Sequence, residues 1–153
     1  RAARHGLPLM LAIIGGDPRR FVPYADLYRQ ACDRLGQPLR PIGVHSPGYV
    51  ADTDAAAREE LWPDFRRMRD RIGAERGWPP MTRAEFDNEV EHGSLYAGAP
   101  ETVARKIAAT VRALGLQRFQ MKYSAGSLSH ARLLRSIELY GTKVIPLVRD
   151  MLA

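Results

Sequence analysis

The chain has 153 residues, 45% hydrophobic and 26% charged, with a formal net charge of +6. That composition is globular and long enough for one real core, and the longest apolar run, Leu7 to Ile14, is far below the roughly 18 residues of a membrane span. The positive balance is arginine scattered at Arg19-Arg20, Arg66-Arg67, Arg69, Arg71, Arg132 and Arg135, interspersed with acids such as Asp64, Asp70 and Glu75, and no aromatic stripe accompanies it; this excludes the usual nucleic-acid surface.

Residues 1–5 read as the last turn of a helix stopped by Gly6. Leu7 to Ile14 is nearly all apolar, as expected of a parallel strand buried on both faces, and Gly15-Gly16-Asp17-Pro18 ends it. Pro23 opens a helix whose apolar face is predicted to carry Tyr24, Leu27, Tyr28, Ala31 and Leu35; Cys32 on this helix reads as a small buried hydrophobe. A lone cysteine forms no internal disulfide, which fits a reducing, cytoplasmic setting, and no signal-peptide pattern is present.

Ile42 to Val50 is a second strand, interrupted by Pro47-Gly48. The following helix, capped by Asp52 or Asp54, turns Leu61, Phe65, Met68 and Ile72 inward, and Pro63 is expected to kink or divide it. Gly77-Trp78-Pro79-Pro80 is a stiff connection, and Thr82-Arg83-Ala84-Glu85 is a capping box for a short helix bearing Phe86 and Val90. Glu59-Glu60 and Glu89-Glu91 read as solvated helix charges. Ser94 to Gly98 is a short extended piece. Pro100 and Glu101 start an amphipathic helix with Val103, Ile107, Val111 and Leu114 on one face, leaving Arg105, Lys106 and Arg112 in water. Arg118 to Tyr123 is the last long strand, with Phe119, Met121 and Tyr123 on one face. A final helix follows with Leu133, Ile137, Tyr140 and Val144, bent by Pro146.

Alternating strands and helices specify an α/β fold with parallel strands. Gly15-Gly16-Asp17-Pro18 lacks the spacing of a dinucleotide loop, which favours a closed barrel over an open doubly wound sheet. Three long strands cannot close a barrel of roughly 250 residues, so the chain is expected to be part of one, with open edges that favour self-association.

In a barrel the site lies at the C-terminal ends of the strands, which selects Ile14, Gly15 and Gly16, then His45 and Ser46, then Tyr49 and Tyr123. An imidazole there can hydrogen-bond a ligand or pass a proton, so His45 is the catalytic candidate. Gly15 and Gly16 would let a ring approach the backbone. Tyr49 and Tyr123 could line a substrate pocket. Ser124 to Ser127 ahead of a helix is a possible anion site. His5, His92 and His130 show no ligand spacing, and no metal is expected.

Five segments in order carry a family resemblance. Gly6-Leu-Pro-Leu-Met-Leu-Ala-Ile-Ile-Gly-Gly16 with Arg20-Phe21 and Tyr24 to Arg29 resembles the sixth strand and helix of bacterial-luciferase-like flavin oxidoreductases. Val44-His-Ser-Pro-Gly-Tyr-Val-Ala51 with Ala57-Arg58-Glu59-Glu60 is similar to the seventh strand and its helix. Gly77-Trp-Pro-Pro-Met-Thr-Arg83 is similar to the family's insertion segment, placed within residues 52–97. Gly98 to Ile107 with Gly115-Leu-Gln-Arg-Phe119, and Arg135-Ser-Ile-Glu-Leu-Tyr-Gly141, resemble the closing helix, last strand and C-terminus. The resemblance implies the C-terminal part, residues 1–153, of a TIM (β/α)8 barrel enzyme. Such an enzyme uses reduced FMN, or in some branches a deazaflavin, on a small organic substrate, with oxygen as co-substrate in the monooxygenase branch. It further implies a homo-oligomer and a phosphate site at the helix after the fifth strand, here present only as Arg1 to His5, so the fragment alone is not expected to be active. A non-enzymatic half-barrel that pairs with itself or a partner, and a phosphate-ligand barrel using Ser124 to Ser127, are the alternatives.

Overall fold

A computed structural model describes residues 1–124 and 126–153. A 3-10 turn, Ala3–His5, ends at Gly6, whose left-handed φ of 63° suits glycine. Strand β1 is Leu9–Ala12, followed by a 3-10 turn, Pro18–Phe21, and helix α1, Val22–Arg34. Strand β2 is Ile42–Val50, and helices α2, Asp54–Arg76, and α3, Arg83–Glu91, come after it. Strand β3 is Tyr96–Gly98, helix α4 is Pro100–Leu114 and strand β4 is Arg118–Lys122. The chain finishes with α5, His130–Leu139, a π turn at Tyr140–Val144, and α6, Ile145–Leu152.

All strand pairs are parallel, and β2 is central. β1 pairs with residues 42–45 of β2 and β4 with residues 43–47, an overlap that puts them on opposite edges; β3 extends the sheet at Gly48–Val50. Side chains alternate across a strand, so the register sorts the sheet into two faces. One face carries Leu9 and Leu11, Ile42, Val44 and Ser46, and Phe119 and Met121, packed beneath the helices. The other carries Met10, Ala12, His45, Pro47, Arg118, Gln120 and Lys122, and all of these are at least partly exposed. The expected strand Leu7 to Ile14, buried on both faces, is therefore shorter and covered on one face only: Met10 is 42% and Ile14 69% exposed.

Pro47-Gly48 does not interrupt β2. Gly48 is needed there because a Cβ would meet the Met121 sulfur at 2.4 Å and the Tyr96 carbonyl at 2.7 Å. Pro63 likewise leaves α2 continuous. It removes one amide donor, but Pro63 and Glu59 are both exposed, so water can take the freed carbonyl. In α1 the buried face is Ala25, Tyr28 and Cys32, and the expected apolar positions Tyr24 and Leu27 stand 58% and 61% exposed. Small residues at 25 and 32 let the helix lie close to the sheet, and the Tyr28 hydroxyl donates to the Leu7 carbonyl at 2.7 Å.

Lys106 differs most from its expected solvated place. Its ammonium donates to the carbonyls of Val90 at 2.6 Å, Leu95 at 2.9 Å and Glu89 at 3.3 Å. Burial lowers its pKa to about 8, against the opposing pull of the Glu89 carboxylate. The last strand stops at Lys122, leaving Tyr123 outside it. The π turn at Tyr140–Val144 precedes Pro146 in the first turn of α6, where the missing amide and the bulk of the ring prevent a regular helix from running straight through.

Candidate functional site

A cavity of about 620 Å³ lies between the β1 and β2 segment around Ile14 and His45 and the α2–α3 unit. The α2–α3 connection folds back over it because its ends are anchored. The Met81 amide donates to Asp70 at 2.7 Å, and the Thr82–Glu85 capping box fixes the start of α3. Trp78 stacks on the Arg69 guanidinium, 4.2 Å from its ring centre, with Arg76 at 5.1 Å.

The floor is the uncovered sheet face. His45 is half-buried there, in register with Ala12 on one side and Gln120 on the other, and its own strand continues five residues beyond it to Val50. Pro47 and Lys122, paired in register, line the same cavity. Ile14 and Gly15 form its rim, and a Cβ on Gly15 would meet nothing within 4 Å. Gly16 serves differently: its amide donates to both Glu89 oxygens, at 2.9 and 3.2 Å, and the same carboxylate takes the Ser94 amide at 3.3 Å. Glu89 is thus a tie between the loop after β1 and α3, where the sequence reading placed a solvated charge.

The structure brings His45, Ile14 and Gly15 together at one cavity. It does not bring Ser46, Tyr49 or Tyr123 to it. Ser46 is fully buried on the helix-covered face, donating to the Ile13 carbonyl at 2.8 Å. Tyr49 is buried in the α2–α3 cluster and donates to Glu60 at 2.5 Å; burial, aided by Glu60, pushes its phenol well above the ordinary range. Tyr123 is 47% exposed outside the lining. In the stretch 124–127, Ala125 falls outside the described residues, and the Ser127 hydroxyl is engaged by Asp64 and Arg67.

Sequence reasoning missed Arg69, Trp78, Met81, Glu89 and Lys122. Alternation in Phe119-Gln120-Met121-Lys122 already opposes Lys122 to the apolar face, so it was findable. The others reach the cavity only because α2 and α3 fold back across the strand ends, which no local pattern announces. A second cavity, of about 510 Å³, is bounded by α2, α3 and α4, and its charges are engaged: Asp54 takes the Ala99 amide at 2.7 Å and the Thr102 hydroxyl at 3.0 Å, and Arg58 pairs with Asp87 at 3.1 Å.

No family model matches the chain, and no curated protein does. Among solved structures it is similar to the monooxygenase RslO1 from Streptomyces bottropensis, at 23% identity and a TM-score of 0.77 over 95% of this chain and 43% of that one. It is also similar to the oxygenating constituent of 3,6-diketocamphane monooxygenase from Pseudomonas putida, a type II Baeyer–Villiger monooxygenase in complex with FMN, at 22% identity and a TM-score of 0.71 over 96% and 44%. A third is the coenzyme F420-dependent tetrahydromethanopterin reductase from Methanopyrus kandleri, at 18% identity and a TM-score of 0.53 over 90% and 44%. At these identities the likeness is one of fold. The chain spans under half the length of each of these proteins, and its parallel sheet with crossover helices is a partial α/β barrel.

Proposed function

We propose that this chain is the C-terminal part of a luciferase-like TIM-barrel enzyme, a flavin-dependent monooxygenase acting on a small organic substrate. One observation carries the reading. His45 and the Ile14-Gly15 backbone meet at a single cavity on the inner sheet face, in a fold shared with a monooxygenase in complex with FMN.

The residues present fit the ring part of a flavin. The cavity is of ordinary small-molecule size, its walls include Phe65, Met68 and Trp78, and bare Gly15 leaves room for a flat ring against the backbone. Reduced FMN, when bound, supplies the electrons with which oxygen is activated; a deazaflavin is the alternative cofactor. His45 can donate or accept a hydrogen bond at the cavity floor and hold a proton there. Gly15 sets how near a ring comes, and the Trp78 connection forms part of the cavity wall. These are contributions of position. The buried, free Cys32 agrees with a cytoplasmic setting, and the uncovered sheet face agrees with self-association.

Replacing His45 with Ala in the full-length protein tests the proposal. Turnover with reduced FMN should fall by about 10²-fold or more, the scale of a lost proton-transfer group, while thermal stability changes little. Equal turnover in the two proteins would remove His45 from the site. Absence of any flavin binding by the full-length protein would end the reading altogether.

A further inference from the structure

The cavity has a charge imbalance that a neutral substrate would leave unused. Three cations line it: Arg69, Arg76 and Lys122. Among the described residues none of them forms an ion pair. Two acids line it as well, which leaves one cation in excess; their oxygens hold neutral donors, and the Glu85 pKa is lowered by its Thr82 hydrogen bonds with help from the Arg69 charge. Glu85 takes the Thr82 amide and hydroxyl at 2.7 and 2.9 Å, and Glu89 takes the Gly16 and Ser94 amides. Asp70, next to Arg69 in sequence, is engaged by the Met81 amide and by Arg66 at 3.3 Å. One terminal nitrogen of Arg69 is buried without an acceptor among the described residues. That nitrogen packs against Gly73 and Trp78, so what an anion in the cavity meets is the unpaired charge of a guanidinium kept partly out of water, where attraction is stronger than at an open surface.

The remaining walls are apolar. Phe65, Ile72, Met81 and Leu95 face the same space, and the Trp78 ring holds Arg69 and Arg76 on its surface. Stacking fixes the plane of a guanidinium and so pre-organises the fork that matches a carboxylate.

We propose that the cavity selects a small organic carboxylate, with an apolar body against Phe65, Ile72 and Met81 and its carboxylate at the Arg69–Arg76 pair, Lys122 adding attraction from the sheet side. This rests on the proposed reading of the cavity as the flavin site, beside which the substrate must lie, and names the class of substrate it takes. The flavin phosphate is the other anion that could claim these cations, and the test must separate the two.

Calorimetric titration of the full-length protein with naphthalene-2-carboxylate and with naphthalene-2-carboxamide compares one shape with and without charge. The carboxylate should bind about tenfold more tightly or better, and Arg69→Gln and Arg76→Gln should each shrink that preference severalfold. In the unmodified protein the preference should also fall as salt rises from about 0.05 to about 0.5 M, which needs no variant to fold. FMN and riboflavin are titrated in parallel, and Arg69→Gln should leave their affinity ratio unchanged. Equal binding of carboxylate and amide, or a preference indifferent to salt, would overturn the proposal. So would a loss of the FMN-over-riboflavin preference in Arg69→Gln, which would assign the cations to the flavin phosphate. Failure of the protein to bind either flavin would sink the flavin reading instead, with the carboxylate preference still measurable.

Discussion

Lys106 sits at a helix position that periodicity assigns to water, yet its ammonium closes the C-terminal end of α3 by bonding three carbonyls. Its pKa is lowered from 10.5 to about 8, so between those values the unfolded chain binds more protons than the folded one. Stability contributed by this group therefore rises with pH across that window and is flat below it. Urea denaturation of the wild type and Lys106→Met at about pH 7.5 and about pH 9.5 should show the wild type gaining on the variant at the higher pH. Parallel behaviour would mean that the ammonium is not desolvated. Elsewhere on the same helix the amphipathic rule holds: Ile107 is fully packed and Arg112 is exposed. Ile107→Ala should cost about 2–5 kcal/mol and Arg112→Ala about 0.5 kcal/mol or less, and a reversed order in thermal denaturation would contradict the packing.

At the scale of elements, α2 carries its proline ten residues into a 23-residue helix without breaking. Pro63 is exposed, so Pro63→Ala restores a backbone hydrogen bond without disturbing the core. It should stabilise the protein by about 1–3 kcal/mol, read as a rise in melting temperature; a fall would mean that Pro63 packs in some further way. Elements whose signals are local were legible in the sequence. Thr82 and Glu85 make the capping box they spell, Gly115 ends α4, and the 3.6-residue rhythm of Val103, Ile107 and Leu114 marks the buried face. Where two apolar stripes compete, as on α1, the sequence could not choose, because the sheet rewards close approach at Ala25 and Cys32 over the larger area of Tyr24 and Leu27. The strand at Leu7 to Ile14 was overextended for a related reason. Apolar residues were read as doubly covered, whereas Met10 and Ile14 lie on the open side and beyond the paired segment.

Across the whole molecule, the helices cover one face of the sheet, and the other keeps His45, Arg118, Gln120 and Lys122 partly exposed. Half of the candidate site was readable from strand alternation and strand ends, which placed His45, Ile14 and Gly15. The other half comes from residues 65–89, brought over the strand ends by a tertiary fold-back with no signature in spacing. The hinge of that fold-back is the Glu89 carboxylate on the Gly16 amide, joining positions 73 residues apart. Its consequence is kinetic. The loop after β1 has no strand partner of its own at Gly16, so it can settle only after α3 has formed and reached it. In pulse-labelled refolding, the Gly16 amide should gain protection from hydrogen exchange together with α3, and later than the amides of α4. In the native protein it should open with α3 as one cooperative unit, and Glu89→Ala should release it to the fast exchange of a free loop.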